Sequence, residues 1–489
     1  MNSLVILGDS CMLTYNKGGG GNHMKKERKP IAINPFVLIF CVVFICGLIT
    51  FIITPGTLTD GVYTALPRNK INFDNFFNIF RAIPYGLKDS ANIMILILVV
   101  GGALEIYKKT GAIDTGISAM INKFGASSQT MLLVVLITVF SAIGGFLGWI
   151  EVLIPFIPLV IAVVLALGYD SMTAVAVCVV GVMGGFMAGP TNLYTVGVSN
   201  GILQKIGILP EGSDVFVGLG FRITVWAVVT AVSILYIVIY ANKARKDSRK
   251  SLVADIDVSD ISIDAGNVSS DKMTTPQILV LLTILGAMIL TVIGMKYGIN
   301  GVQWSIDDVS AIFFLSGIIA GFIGKMKAGD ISDAFITGAQ SAIAGALIVG
   351  VARGVYWILE AGNINATIIY STTELLKGTS PLIAAIGIVI IVSFINGLIP
   401  SGSGKGALLS PILVPIAVSL GLSSQTAVLA YQFGDGITNM FWFSYGTLLI
   451  FLNYGKVPIN RWYKFIIPLL FIFFVIAFIS LVIAINIGF

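Results

Sequence analysis

Apolar runs of membrane-spanning length recur along the whole chain, separated by short polar segments. A helix needs about 20 mostly apolar residues to cross a bilayer, so the spacing predicts a polytopic, all-α membrane protein. The first half carries runs at 35–53, 91–107, 131–150, 152–167, 173–189 and 216–240. The second carries runs at 277–295, 309–323, 334–358, 382–399, 406–420, 426–452 and 465–487. Residues 76–84 read as an amphipathic segment lying on the membrane surface.

Two of the later runs are interrupted, at 401–406 and 434–439, by small and polar residues. A break exposes backbone N–H and C=O groups that hydrocarbon cannot satisfy, so it survives only where protein buries it or where it lines a wet cavity. Paired interrupted segments are the best sequence pointer to the binding site of a secondary transporter. The same features occur earlier. Leu167–Val175 (LGYDSMTAV) matches Leu420–Val428 (LGLSSQTAV) at six of nine positions, and the same offset lays Pro158 on Pro411, Gly144 on Gly397, and GWIEV around Glu151 on SGSGK around Ser403. A slightly shorter offset lays Pro190-Thr-Asn192 on Ile437-Thr-Asn439. The chain therefore reads as two repeats, 34–240 and 276–489, each with a re-entrant hairpin (tips 148–152 and 401–406) and a broken helix (189–192 and 434–439).

Basic residues set the orientation. The N-terminal lysines, the run Lys243–Lys250, Lys325 with Lys327, and the segment 456–464 belong in the cytoplasm. Only Lys205 follows the first Thr-Asn break before the next span, so that point belongs outside and the repeats are inverted. Arg68 and Lys70 are an exception on the external side. Residues 241–275, basic and then acidic and Ser-rich, read as a solvated cytoplasmic linker. Residues 1–33 read as a cytoplasmic tail. Its first 23 residues match nothing downstream, and Met24 before KKERKP looks like a more natural start.

Composition narrows the chemistry. With 56% hydrophobic and 11% charged residues, the chain is no soluble multidomain protein, and its formal charge of +5 sits mostly in loops, reporting topology rather than nucleic-acid binding. The one histidine, His23, lies in the tail, which excludes a His-based triad, a His-ligated metal or a histidine relay inside the membrane. The four cysteines form neither a disulfide framework nor a metal-ligand spacing. GSGKG is not a phosphate-binding loop, because Ile399 and Gly406 stand where that motif needs Gly and Ser/Thr. A channel would want a continuous polar face, which the spans lack. An intramembrane protease would want a Ser/His or paired-Asp context, also lacking. Not an enzyme but a transporter is the expectation.

Half-helix N-termini offer free N–H groups to a carboxylate, while unwound carbonyls and helix C-termini suit a cation. On that logic the expected substrate-binding residues are Glu151, Asn192, Ser401, Gly402, Ser403, Gly404, Lys405 and Arg353. Thr191, Asn192, Asp435, Thr438 and Asn439 are the expected coupling-ion residues, with Na+ and H+ both open and no other cofactor. Intramembrane carboxylates are costly and usually line pathways, which singles out Glu151 and Asp435. Arg222 and Arg353 have two readings, as carboxylate anchors or as caps of neighbouring carbonyls. Lys405 has three, as a substrate contact, as the counter-charge of Glu151 or Asp435 in an empty site, or as a lysine that snorkels to water and touches nothing.

At Pro400-Ser-Gly-Ser-Gly404, Gln425 to Asn439 (QTAVLAYQFGDGITN), Ala352-Arg-Gly354 and Leu167-Gly-Tyr-Asp170, the chain resembles the YfcC branch of the anaerobic C4-dicarboxylate carrier family, in the ion transporter superfamily. The resemblance runs from about Gly101 to Phe465. It implies a homodimer in the bacterial cytoplasmic membrane with a static scaffold and a mobile transport domain, working by elevator-like movement as symporter or exchanger. The implied substrate is a small carboxylate-bearing metabolite, either a C4-dicarboxylate or an amino acid, with arginine/ornithine exchange as the alternative. The chain departs from the family where Glu151 precedes Val152 instead of a second acid, and where Lys405 follows PSGSG in place of a neutral residue.

Overall fold

The computed structural model describes residues 35–59, 62–116, 129–262 and 273–489, with three short strands (Val5–Ile6, Cys11–Leu13, Glu27–Arg28) and Ala119 besides. The expected tail over 1–33, apart from those strands, and residues 263–272 of the linker lie outside the described residues.

The chain enters with α1 (Pro35–Ile52), a small antiparallel hairpin (Gly56–Thr59 with Val62–Ala65), α2 (Phe73–Asp89) and α3 (Ala91–Lys109). α2 is the expected amphipathic helix. Asn72 caps it through the Asn75 N–H at 2.8 Å, Phe73, Phe76, Phe77 and Phe80 are exposed, and Ile79, Ala82 and Gly86 are buried. Next, α4 (Gln129–Ala142) ends in a π turn (Ile143–Leu147), and a 3-10 turn (Glu151–Phe156) leads back into α5 (Ile157–Ala166). α6 (Ser171–Met187) stops, and after residues 188–192 a π turn (Leu193–Gly197) and α7 (Val198–Lys205) resume it. The long α8 (Leu219–Lys246) closes the first half.

The second half opens with α9 (Thr275–Tyr297), α10 (Ile306–Ile323), α11 (Ala328–Ala361) and the short α12 (Asn365–Glu374). The order hairpin, broken helix, long helix then recurs as α13 (Pro381–Leu398) with α14 (Gly402–Ser419), α15 (Ser424–Asn439) with α16 (Gly446–Tyr454), and α17 (Ile459–Ile487). Among the described residues, nine helices are long and apolar enough to cross a membrane.

Contacts at the helix ends show that the repeats are inverted. Tyr240, near the end of α8, donates to Asp170 at the start of α6 (2.7 Å), and its hydroxyl accepts from the Leu252 N–H (3.0 Å). Arg461, at the start of α17, donates to Leu252 O (3.1 Å). All of these lie on one face, the linker face. At the other, far face, Thr426 at the start of α15 donates to the carbonyl of Phe489, just beyond α17 (3.0 Å), and Phe221 near the start of α8 packs on the Phe489 ring. α6 and α15 therefore begin on opposite faces. The hairpins do the same: the first has its ends at the linker face, where Thr130 meets Tyr169, and the second at the far face, where Gly421 sits beside Pro381. α1–α3 pack with α9–α11 as a scaffold, and the hairpins, broken helices, α8 and α17 form a second body. The two meet where α11 packs on α16 and where α3 packs on the Glu151 turn.

Three expectations need correction. α15 does not unwind over 434–439 but stays helical through Asn439 and breaks at 440–445. Gly434 and Gly436 are there for close packing, against Val389 O and Met187, and the Thr438 hydroxyl donates back to Gly434 O at 2.7 Å inside the intact turn. The second hairpin tip is likewise tighter than 401–406: Ser401 accepts from the Gly404 N–H (3.2 Å) and so caps a helix that starts at Gly402 rather than Gly406. The linker is not merely solvated. Over 247–262 it packs on the linker face, with Asp255 on Arg461 (3.1 Å), Asp260 paired to Lys456, and the Asp260 carbonyl accepting from Lys108 at 3.2 Å. Lys456 holds the Asp260 carboxyl below the usual carboxylate range.

Candidate functional site

Irregular backbone inside a membrane must find partners, and here side chains supply many of them, with Gln432 reaching across from the opposite repeat. Thr191 donates to Phe146 O in the first tip (2.8 Å). Asn192 accepts from the Tyr194 and Thr195 N–H groups and donates to Phe186 O (3.1 Å). Gln432 on α15 donates to Phe186 O and Gly189 O (3.2 and 2.9 Å). In the second repeat, Ser444 donates to Gly397 O (2.6 Å), Trp462 to Met440 O (2.9 Å) and Tyr463 to Phe441 O (3.0 Å). Gly148 turns the first tip with φ +73, and a Cβ there would lie 2.6 Å from Asn192 Oδ1, so the tip and the first break touch only because the residue is glycine.

Between the two bodies lies a cavity of about 350 Å³. Its lining includes Gly148 and Glu151 of the first tip, Ser401, Gly402 and Ser403 of the second, Tyr194 after the first break, and Asn439, Tyr445 and Thr447 around the second. The scaffold contributes Asp89, Val349 and Arg353, with Met295 and Ile306 at far-face helix ends. Glu151 accepts from Tyr445 (2.9 Å) and Thr447 (3.5 Å), and among the described residues it has no cationic partner. Arg353 stacks on the Tyr356 ring (4.5 Å) and reaches Asp89 only at 3.9 Å. Ser401 caps the Gly404 N–H, leaving the N–H groups of Gly402 and Ser403 at the positive end of α14 for the cavity.

Behind this wall sits a fully buried ion pair, Lys405 Nζ to Asp435 Oδ1 at 2.6 Å. Lys405 also donates to Asn396 Oδ1 and to Ile399 O (3.3 Å). Asn396 in turn directs its NH2 at Asp435 O (3.0 Å), Thr438 Oγ1 (2.9 Å) and Asn439 Oδ1 (2.9 Å).

Of the residues expected to bind substrate, Glu151, Arg353, Ser401, Gly402 and Ser403 line the cavity; Gly404, Lys405 and Asn192 do not. Of the expected ion residues, Asn439 lines it, Asp435 and Thr438 lie behind it, and Thr191 serves as a backbone partner. Arg222 is fully buried and bonds to Gln432 (2.9 Å), Gln425 (3.3 Å) and Val217 O (3.3 Å), which places it in the frame of the second body. The residues that sequence reading missed are Asn396, Tyr445 and Thr447. Asn396 was the most findable, a lone amide inside an apolar run just before the second tip.

The family of C4-dicarboxylate anaerobic carriers matches residues 34–486. The chain belongs to that family. It is 29% identical over 399 residues, 79% of this chain and 76% of the relative, to an Escherichia coli (strain K12) protein named "Putative basic amino acid antiporter YfcC". It is 25% identical, over 83% of this chain and 88% of the relative, to a Haemophilus influenzae protein named "Putative short-chain fatty acid transporter". The crystal structure of the YdaH transporter of Alcanivorax borkumensis aligns at 15% identity and a TM-score of 0.41, covering 94% of this chain and 99% of that one. This carrier is thus a multi-pass membrane transporter of the bacterial cytoplasmic membrane.

Proposed function

We propose that this carrier moves a small amino acid bearing a cationic group, its hairpin body shifting against the scaffold in an elevator-like cycle. The observation that carries the reading is Glu151, an intramembrane carboxylate with hydroxyl partners and, among the described residues, no paired cation, sharing a cavity with the free N–H groups of Gly402 and Ser403. The amides suit the substrate's carboxylate, and Glu151 suits its ammonium or guanidinium. The name of the E. coli relative points the same way. In this reading the linker face, rich in Lys108, Lys243, Arg245, Lys456 and Arg461, is cytoplasmic, the N-terminus is inside and the C-terminus outside. The cavity then faces outward, and the carrier works as a homodimer.

A second reading, a C4-dicarboxylate, is favoured by Arg353, whose long contact with Asp89 leaves it able to take a carboxylate while the Gly402 amides take another. Proteoliposomes loaded with a counter-substrate separate the two. Arginine or ornithine inside should accelerate uptake of labelled arginine under the first reading, and succinate or fumarate should do nothing. The reverse pattern establishes the dicarboxylate, and saturable transport of neither ends both readings.

A further inference from the structure

We propose that the Lys405 ammonium is a tethered counter-cation that occupies the carrier's monovalent-cation site, so that the transport cycle runs without Na+. This deepens the transporter reading and rests on it. Three oxygens converge on Nζ: Asp435 Oδ1 at 2.6 Å, the amide oxygen of Asn396, and Ile399 O at 3.3 Å, at the C-terminal end of α13. A carboxylate, an amide oxygen and a carbonyl at a helix end are the ligands that hard monovalent cations take in broken-helix transporters. Here a covalently attached charge stands among them.

Two details make this a built shell rather than a chance ion pair. Asn396 cannot turn its oxygen away, because its NH2 is committed to Asp435 O, Thr438 and Asn439. The second carboxylate oxygen, Asp435 Oδ2, is buried without a hydrogen-bond donor and lies beside Gly402 of the hairpin tip. Thr438 and Asn439, expected to ligate a free ion, instead accept from Asn396 and stabilise the shell from behind. A free cation entering this space would meet a positive charge within a few ångströms in a medium of low dielectric constant, which excludes it. The lysine is attached through the first turn of α14, directly behind the amides of Gly402 and Ser403. Its charge therefore adds to the attraction of the second tip for a carboxylate and moves with that tip, as a bound ion would.

The test uses purified full-length protein and measures thermal stability, with Na+ exchanged for choline at constant ionic strength. Wild type should show no saturable Na+ effect. Lys405→Ala empties the shell and should gain a saturable stabilisation by Na+, and with it Na+-stimulated uptake in proteoliposomes. Adding Asp435→Asn to that variant should abolish the gain. A saturable Na+ effect on wild type overturns the proposal, as does a well-folded Lys405→Ala protein that ignores Na+. If Lys405→Ala does not fold, the wild-type measurement decides alone. The stability readout needs no substrate, so an Na+ response gained in a protein that transports none of the proposed substrates leaves this proposal standing and overturns the substrate reading.

Discussion

Tyr445 donates its hydroxyl to Glu151 at 2.9 Å across 294 residues of sequence, tying the second helix break to the first hairpin tip. The bond fixes the orientation of the one cavity carboxylate that the amino acid reading depends on. Glu151→Gln keeps the shape and an acceptor for Tyr445 but loses the charge. A hydrogen bond to a charged group contributes about 1.5–3 kcal/mol, so affinity for a cationic amino acid should fall by roughly 10–100-fold. Tyr445→Phe should cost less, about 1 kcal/mol or roughly fivefold. Calorimetric titration of both variants measures this. An unchanged affinity in Glu151→Gln would remove the carboxylate from the binding site.

Asp435→Asn leaves the Lys405 charge buried without its partner. Breaking a buried pair on one side typically costs about 3–5 kcal/mol, whereas neutralising both partners is often close to neutral. The single variant should therefore lose stability, and Lys405→Met combined with Asp435→Asn should recover most of it. Melting temperatures of the two variants and of wild type form the comparison. Equal stability of the single and double variants would show that the pair is not coupled.

Gly436→Ala tests the crossing of the two broken helices. The new Cβ would sit 2.3 Å from Met187 Cα, a backbone atom that has nowhere to go. Overpacking of this kind costs about 1–3 kcal/mol or more. The expected result is a lower melting temperature and a smaller monodisperse fraction on size exclusion. Wild-type behaviour would mean that the helices separate more easily than their contact suggests.

Inversion of the repeats fixes a topology that labelling can read. In a cysteine-free background, a cysteine at exposed Asp257 of the linker should react with an impermeant thiol reagent only from the cytoplasmic side. One at exposed Asn486 should react only from outside. Reaction of both from the same side contradicts the antiparallel course of α6 and α15.

What the sequence disclosed was set by period and composition. The runs, the amphipathic α2 and the repeat of hairpin, break and long helix were legible because apolar length and a repeated LG..S.TAV segment are local signals. The exact breaks were less so. Gly434 and Gly436 look like helix breakers in isolation, and only the neighbouring Val389 and Met187 show them to be packing contacts inside a continuous helix. Glu151 could be found because a carboxylate between apolar runs is costly. Its partners could not, since Tyr445 and Thr447 are ordinary residues until the fold brings them across the repeat boundary. Lys405 was conspicuous, but its direction was not. Whether a lysine faces a cavity or a buried acid depends on Asn396, which orders the oxygens around it.

Gly436 against Met187 is also a joint. Two helices whose backbones touch cannot slide past one another without each residue in turn colliding with its neighbour, so the crossing of α6 and α15 is a rivet between the halves of the chain. Both helix breaks hang from that rivet, Asn192 and Tyr445 tie the first tip to them, and Tyr431 of α15 ties the second tip to the crossing itself by donating to Gly402 O. At the seam against the scaffold Gly446 also lies close on Val349, but with more room, 3.1 Å for an added Cβ against 2.3 Å at Gly436, so a cargo held at the tips sits in one setting, like a stone, rather than between two half-sites that part from each other.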